Sequence, residues 1–279
     1  MNSKKLDEDV LKEARFWEDF DIEAMKYGMP YWVDYQNAQY LNTPKRFLWS
    51  DPEIDKILYG DVKRRLLNSL PAESKVLDIG CGGGWLSLEL ARRGHHVVGI
   101  DIAEKRIEIA IDTAKKNNQE IDYRVCSLED LGPDECFDVI VSFGTIHHFP
   151  NIEEELERVK ALLKDDGLFI IVENCSNLFR NFADWFRKAI LKRDNSSRSP
   201  FEDAASHKVV SEVRERFNVN KESFSLAFTK ISAEVIDLLP FDLPRGVHYS
   251  LLRLIKIIDN GCTALKLFRG ETVFMWCSK

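Results

Sequence analysis

The chain has 279 residues, 44% of them hydrophobic, enough for one large domain around a sizeable core. Its formal net charge of −7 argues against a partner gripped mainly through phosphates, and so against a nucleic acid. The cysteines (Cys81, Cys126, Cys136, Cys175, Cys262 and Cys277) form no CxxC pair and no zinc-site spacing, so no metal is expected and free thiols in a reducing compartment are.

The opening stretch, MNSKKLDEDVLKEARFW, is charged throughout, unlike a signal peptide. No run reaches the roughly 18 apolar residues that cross a bilayer. A cytoplasmic protein without a membrane partner is therefore expected. Leu6, Val10, Leu11, Ala14 and Trp17 recur at helical spacing and predict an amphipathic helix. Residues 27–49 read as a loop rich in aromatics, among them Tyr31, Trp32 and Trp49, that could wall a substrate pocket. Asp51-Pro52 has the form of an N-cap followed by proline at the first helical position, which starts a helix running to about Leu70. Its basic cluster Lys63-Arg64-Arg65 reads as a solvated face.

Beyond Pro71 short β-branched runs alternate with helical stretches. Strands are predicted at Lys75–Ile79, His96–Ile100, Ile121–Val125, Phe137–Val141 and Leu168–Val172, and helices at Trp85–Arg93, Ala103–Asn118 and Ile152–Lys164. Repeated β-α-β units imply an α/β, doubly wound, mostly parallel sheet covered on both faces. After Asn174 the regularity weakens. A helix is predicted over Leu178–Lys192, a polar loop over Arg193–Pro200, a helix over Glu202–Phe217, strands at Ser223–Thr229 and Thr272–Cys277, and a helix at Val247–Ile258. The chain thus divides into a helical N-terminal cap, 1–70, and a ligand-binding domain, 71–279, with a lid-like segment at 176–218 and an inserted one at 231–269.

The stretch KVLDIGCGGGWLSLEL packs its glycines directly after the first strand of the alternating region. In an open parallel sheet that turn borders the ligand crevice, and glycine lets a ligand touch the backbone. A dinucleotide site, G-x-G-x-x-G, fits the first two glycines but fails where Trp85 replaces the small third residue. Asp78 would also repel a pyrophosphate, whereas a cationic amine would favour it.

Asp78, Gly80, Gly82 and Gly84 instead match D-x-G-x-G-x-G, and here the sequence resembles the class I S-adenosylmethionine-dependent methyltransferases. VVGIDIAEKRIEIA places Asp101 at the end of the second strand, where that family's acid holds the ribose hydroxyls, and Ile102 where it packs an apolar side chain on adenine. FDVIVSFGTIHHFPN resembles the fourth-strand motif and VKALLKDDGLFIIVEN the approach to the fifth, so the likeness covers about Val62 to Asn174. It implies a Rossmann-like seven-stranded sheet, completed by the last two strands, with a helical insertion near the C-terminus, and S-adenosyl-L-methionine as cofactor. Cys81 and Ser142 are placed beside the same ligand. RVCSLEDL departs from the pattern, with Ser127 where many relatives carry an aspartate that accepts from adenine; the Leu128 N–H could contact the ring instead.

Methyl transfer needs in-line positioning, and a base only where the nucleophile must lose a proton. His147 and His148 follow the fourth strand and Glu173 ends the fifth, both at the crevice. This resembles small-molecule enzymes of the ubiquinone-biosynthesis and sugar O-methyltransferase kind, which implies His147 as base, Glu173 as its partner and His148 as the second candidate. A small-molecule methyl acceptor is expected. The alternatives are an RNA or protein methyltransferase, for which Ser142-Phe143-Gly144-Thr145 lacks the N/D-P-P-Y/F-type motif, and a non-catalytic cofactor binder.

Overall fold

The computed structural model describes residues 8–26, 51–175, 177–189, 206–237 and 243–279. The aromatic segment 27–49 and the expected lid loop 193–200 lie outside the described residues.

β1 (Lys75–Ile79) is an inner strand of one sheet. β2 (His96–Asp101) and β3 (Asp122–Val125) lie to one side of it, and β4 (Phe137–Phe143) and β5 (Leu163–Asn174) to the other, each parallel to its neighbours. β7 (Thr272–Ser278) then runs antiparallel to β5, and β6 (Asn218–Ser225) antiparallel to β7 at the edge. The order is β3-β2-β1-β4-β5-β7-β6, seven strands with a winding reversal between β1 and β4. Carboxyl ends of strands flanking such a reversal open a ligand crevice.

Alternate residues of the central strands serve two cores, which is why they read as unbroken apolar runs. Leu77 and Ile79 of β1 and Phe169 and Ile171 of β5 pack beneath α5 (Ile152–Leu162) and α7 (Ser206–Arg216). Val76 of β1 and Ile170 and Val172 of β5 pack beneath α2 (Pro52–Leu67) and α3 (Trp85–Ala91). α4 (Glu104–Lys116) covers β2 and β3, and α1 (Glu8–Lys26) lies on α4. α6 (Leu178–Ala189) follows β5.

Asp51 caps α2 as expected, accepting from Glu53 N at 3.0 Å and Ile54 N at 3.2 Å. The helix stops at Leu67, with Asn68 as C-cap, short of the expected Leu70. Lys63 is not the solvated residue its basic cluster suggested: its ammonium pairs with Asp55 at 2.7 Å and stands 4.3 Å from the Trp85 ring centre, while Arg64 stays exposed.

Two expectations in the C-terminal part change. The 176–218 segment is not lid-like throughout, because Val209, Val210 and Val213 on α7 are buried in the main core. The expected strand Ser223–Thr229 is β6, displaced to Asn218–Ser225, and Thr229 opens a helix, α8 (Thr229–Asp237). The cause is Asp259, fully buried on α9 (Arg245–Ala264). Its carboxylate accepts from the backbone N–H groups of Ala227 at 2.9 Å, Phe228 at 3.0 Å and Thr229 at 2.8 Å, and from the Thr229 hydroxyl. These donors are thereby taken out of the sheet ladder and become the cap of α8. Sequence periodicity does not register a cap supplied from thirty residues downstream. Each buried donor left unsatisfied costs about 1–3 kcal/mol, so Asp259→Ala is expected to destabilise the fold by roughly 3 kcal/mol or more. Denaturant unfolding measures this, and a loss under about 1 kcal/mol would show that the cap is dispensable.

Candidate functional site

The glycine turn after β1 divides its labour. Gly80, Gly82 and Gly84 have φ of 65°, 53° and 82°, the left-handed region that L side chains avoid. A Cβ on Gly80 would run into Thr145, whose hydroxyl reaches the Gly80 carbonyl at 3.4 Å. One on Gly84 would meet Tyr123 and Ala110. These two glycines serve close packing. Gly82 is different: a Cβ there would meet only Arg106, at 3.4 Å, so it is the glycine whose open side a ligand can use. Cys81 is buried, its N–H donating to the Ile100 carbonyl at 3.0 Å, which binds the turn to β2.

Asp101 ends β2 and faces this turn. One carboxylate oxygen accepts from Gly82 N and the other from Ala103 N, both at 2.9 Å. The carboxylate is thereby fixed between the glycine turn and the start of α4. Ile102 is half-buried beside it, and Leu128 is buried at the edge of the core. Ser127 donates both its N–H, at 2.8 Å, and its hydroxyl, at 2.7 Å, to Asp130, so its free capacity is as an acceptor. Ser142 does not open onto the crevice: it is fully buried, and its hydroxyl makes no hydrogen bond within the described residues.

Asp78 lies one turn below, buried, and accepts from Ser87 Oγ on α3 at 2.6 Å. Burial pushes its carboxyl up to about 7, against the lowering effect of the Ser87 hydrogen bonds. A cation placed near it would favour the ionised form. Binding a ligand with an ammonium group near pH 7 is therefore expected to release protons, up to about half of one per site. Titration calorimetry in buffers of different ionisation enthalpy reads this directly. Equal binding heats in all buffers would place the ligand's amine away from Asp78.

β4 and β5 bring the candidate chemistry together. Glu173 is 1% exposed. One of its oxygens accepts from Thr145 N at 2.8 Å and Ile146 N at 2.7 Å, and the other holds His147 Nδ1 at 2.6 Å. Burial acts to raise the Glu173 carboxyl, but the His147 ring and these hydrogen bonds outweigh it and hold the carboxyl below its ordinary value. An ionised carboxylate only accepts, so His147 donates through Nδ1 and presents Nε2 as its acceptor. Glu173 orients the imidazole and anchors the turn that carries it. The half-buried Tyr59, Phe143 and Trp85 form an edge-to-face aromatic row, with ring centres 6.1 Å and 5.1 Å apart, and Phe143 and Trp85 pack against the core beneath α2 and α3. Lys230 reaches Asn174 at 3.3 Å and Glu271 at 3.0 Å.

α1 adds groups that the sequence reading had not assigned. Glu13, 3% exposed, pairs with His148 Nδ1 at 2.9 Å and accepts from Trp17 Nε1 at 2.7 Å. Burial pushes the His148 ring down, with Glu13 acting in the opposite direction. The signal was available: Glu13 falls on the same face as Val10, Ala14 and Trp17, a carboxylate within an otherwise apolar stripe. Among the described residues no cluster of three or more His, Cys, Asp or Glu side chains is arranged to hold a metal ion. No helix of the described residues is long and apolar enough to cross a membrane.

With the glycine turn, Asp101 and the crevice in place, the relatives decide the family. Residues 70–224, more than half of the chain, match the family described as Methyltransferase domain. The chain belongs to the class I S-adenosylmethionine-dependent methyltransferases. A ubiquinone biosynthesis O-methyltransferase of Pelagibacter ubique is 45% identical over 97 residues, 35% of this chain and 40% of that protein. The chain thus matches less than half the length of that relative. The YcgJ protein of Bacillus subtilis shares the fold with a TM-score of 0.51 at 17% identity, over 79% of this chain and 98% of its own. Coclaurine N-methyltransferase, solved with N-methylheliamine and S-adenosylhomocysteine, does so with a TM-score of 0.52 at 14% identity, over 96% of this chain and 91% of its own.

The methyltransferase cofactor, S-adenosyl-L-methionine, suits the residues present. Gly82 would face its amino-acid portion, the fixed Asp101 carboxylate would accept from its ribose hydroxyls, and buried Asp78 would complement its ammonium group.

Proposed function

We propose that this methyltransferase acts on a hydroxyl of a small, partly apolar metabolite or sugar, as a cytoplasmic enzyme. The observation that carries the reading is the Glu173–His147 pair, 2.6 Å apart at the carboxyl ends of neighbouring strands. An amine already carries a nucleophilic lone pair, whereas a hydroxyl must lose its proton as it attacks, and a carboxylate-oriented imidazole is suited to take it. The O-methyltransferase name of the curated relative favours the same acceptor atom.

Bound S-adenosyl-L-methionine supplies an electrophilic methyl on a sulfonium. The chain's own residues do the rest. Asp101 and the glycine turn fix the donor, and His147 Nε2 receives the hydroxyl proton. Exclusion of water and alignment of the two reactants carry much of the acceleration. The test is methyl-labelled donor offered to a panel of phenols, sugar alcohols and amines of similar size. Labelled ethers with formation of S-adenosylhomocysteine are expected; N-methyl products alone would overturn the choice of acceptor.

A further inference from the structure

We propose that Glu13 is a positioning residue for His148, so that α1 supplies one half of a second carboxylate–imidazole pair and the crevice is complete only with α1 docked. This rests on reading the crevice as a site of methyl transfer.

Glu13 is a buried carboxylate on a helix whose Glu8, Lys12, Arg15 and Asp19 are exposed. One of its oxygens takes both the Trp17 indole N–H, at 2.7 Å, and His148 Nδ1, at 2.9 Å. A carboxylate accepts and does not donate, so the proton of a neutral His148 sits on Nδ1 and Nε2 is its acceptor. His147 is held in the same tautomer by Glu173. The two imidazoles therefore have one orientation logic and two suppliers, β5 for His147 and α1 for His148. Their ring centres are 3.9 Å apart, so a proton on one ring opposes a proton on the other and the rings act as a coupled pair.

α1 is tied at its other contacts to the cofactor side. The Trp17 ring stands edge-on to His148 at 5.4 Å and carries the Arg106 guanidinium at 4.5 Å, while Glu18 pairs with Lys105 at 3.5 Å. Arg106 and Lys105 open α4, directly after Asp101 and beside Gly82. One helix thus bridges the residues that face the donor and the imidazole next to the base.

The test reads the His148 tautomer by 15N imidazole chemical shifts in the full chain, together with kcat for methyl transfer. In the wild type at a pH where the ring is neutral, the Nδ1–H form is expected. Glu13→Ala should release His148 to the Nε2–H form common to unconstrained imidazoles and lower kcat about tenfold or more, as loss of a tautomer-fixing partner does for metal-bound histidines. Glu13→Gln, whose amide oxygen also accepts from Nδ1, should keep the tautomer and most of the rate. An unchanged tautomer in folded Glu13→Ala overturns the proposal, and so does a changed tautomer with unchanged kcat. The tautomer needs no acceptor, so a failed methyl-transfer reading shows itself separately, as no turnover in a wild type whose His148 is still held by Glu13.

Discussion

Replacing His147 with alanine is expected to lower methyl transfer to a hydroxyl acceptor by about 10²–10⁴, the usual worth of a positioned general base. The ring donates through Nδ1 to Glu173, which makes Nε2 its basic nitrogen. His147 is carried by the turn after β4 and held by Glu173, whereas Asp101 ends β2 on the far side of β1, so the affinity for S-adenosylhomocysteine should be retained. Only the neutral ring accepts a proton, so the wild-type rate should fall on acidification and the variant should lose that limb of the profile. A loss below about tenfold, or a pH profile that the substitution leaves intact, would make His147 structural and leave the rate to proximity. Glu173→Gln separates the roles further. It keeps an acceptor for the two turn N–H groups but gives up the charge that stabilises the imidazolium, so kcat should fall while the fold persists.

The second large effect is expected at Gly82. Its φ of 53° costs an L side chain about 1–2 kcal/mol and makes a β-branched one a true outlier. Among the described residues, a Cβ there would meet only Arg106. A valine there would push its methyls into the path of the donor's amino-acid portion. Gly82→Val is expected to weaken cofactor binding by a hundredfold or more, about 2.7 kcal/mol, in a protein that still folds by circular dichroism. Gly82→Ala, with a smaller intrusion at the same φ, should fall between. Gly80→Ala should differ in kind, because its Cβ strikes Thr145 and disturbs the turn that carries His147. A folded Gly82→Val with unaltered affinity would show that the turn does not cradle the donor.

Much of this was readable in the sequence because the signals are local. The central strands declare themselves through unbroken apolar runs, and the Asp-Gly-rich turn, Asp101, His147 and Glu173 lie at strand ends whose order follows from the β-α-β repeat. What stayed hidden depends on distant partners. Asp259 pulls residues 227–229 out of the ladder from another helix, which moved β6 and created α8. Whether Gly80, Gly82 or Gly84 faces a ligand depends on Thr145, Tyr123 and Arg106, which no spacing rule connects to the turn. Ser142, expected beside the ligand, lies within β4 with its side chain fully buried, and which way a strand residue faces is set by the sheet around it. Glu13 needed only the observation of a carboxylate on an apolar stripe, but its partner His148 lies more than a hundred residues away.

If the Asp78–Gly84 turn and Asp101 together hold S-adenosyl-L-methionine, calorimetric titration with S-adenosylhomocysteine reads it out. The wild type is expected to bind one equivalent with a Kd near micromolar, about −8 kcal/mol. Asp101→Ala should weaken this tenfold or more, since each charge-assisted hydrogen bond to a ribose hydroxyl contributes about 1.5–3 kcal/mol at most. No binding to the wild type at millimolar ligand, or the same Kd in both proteins, would contradict the account.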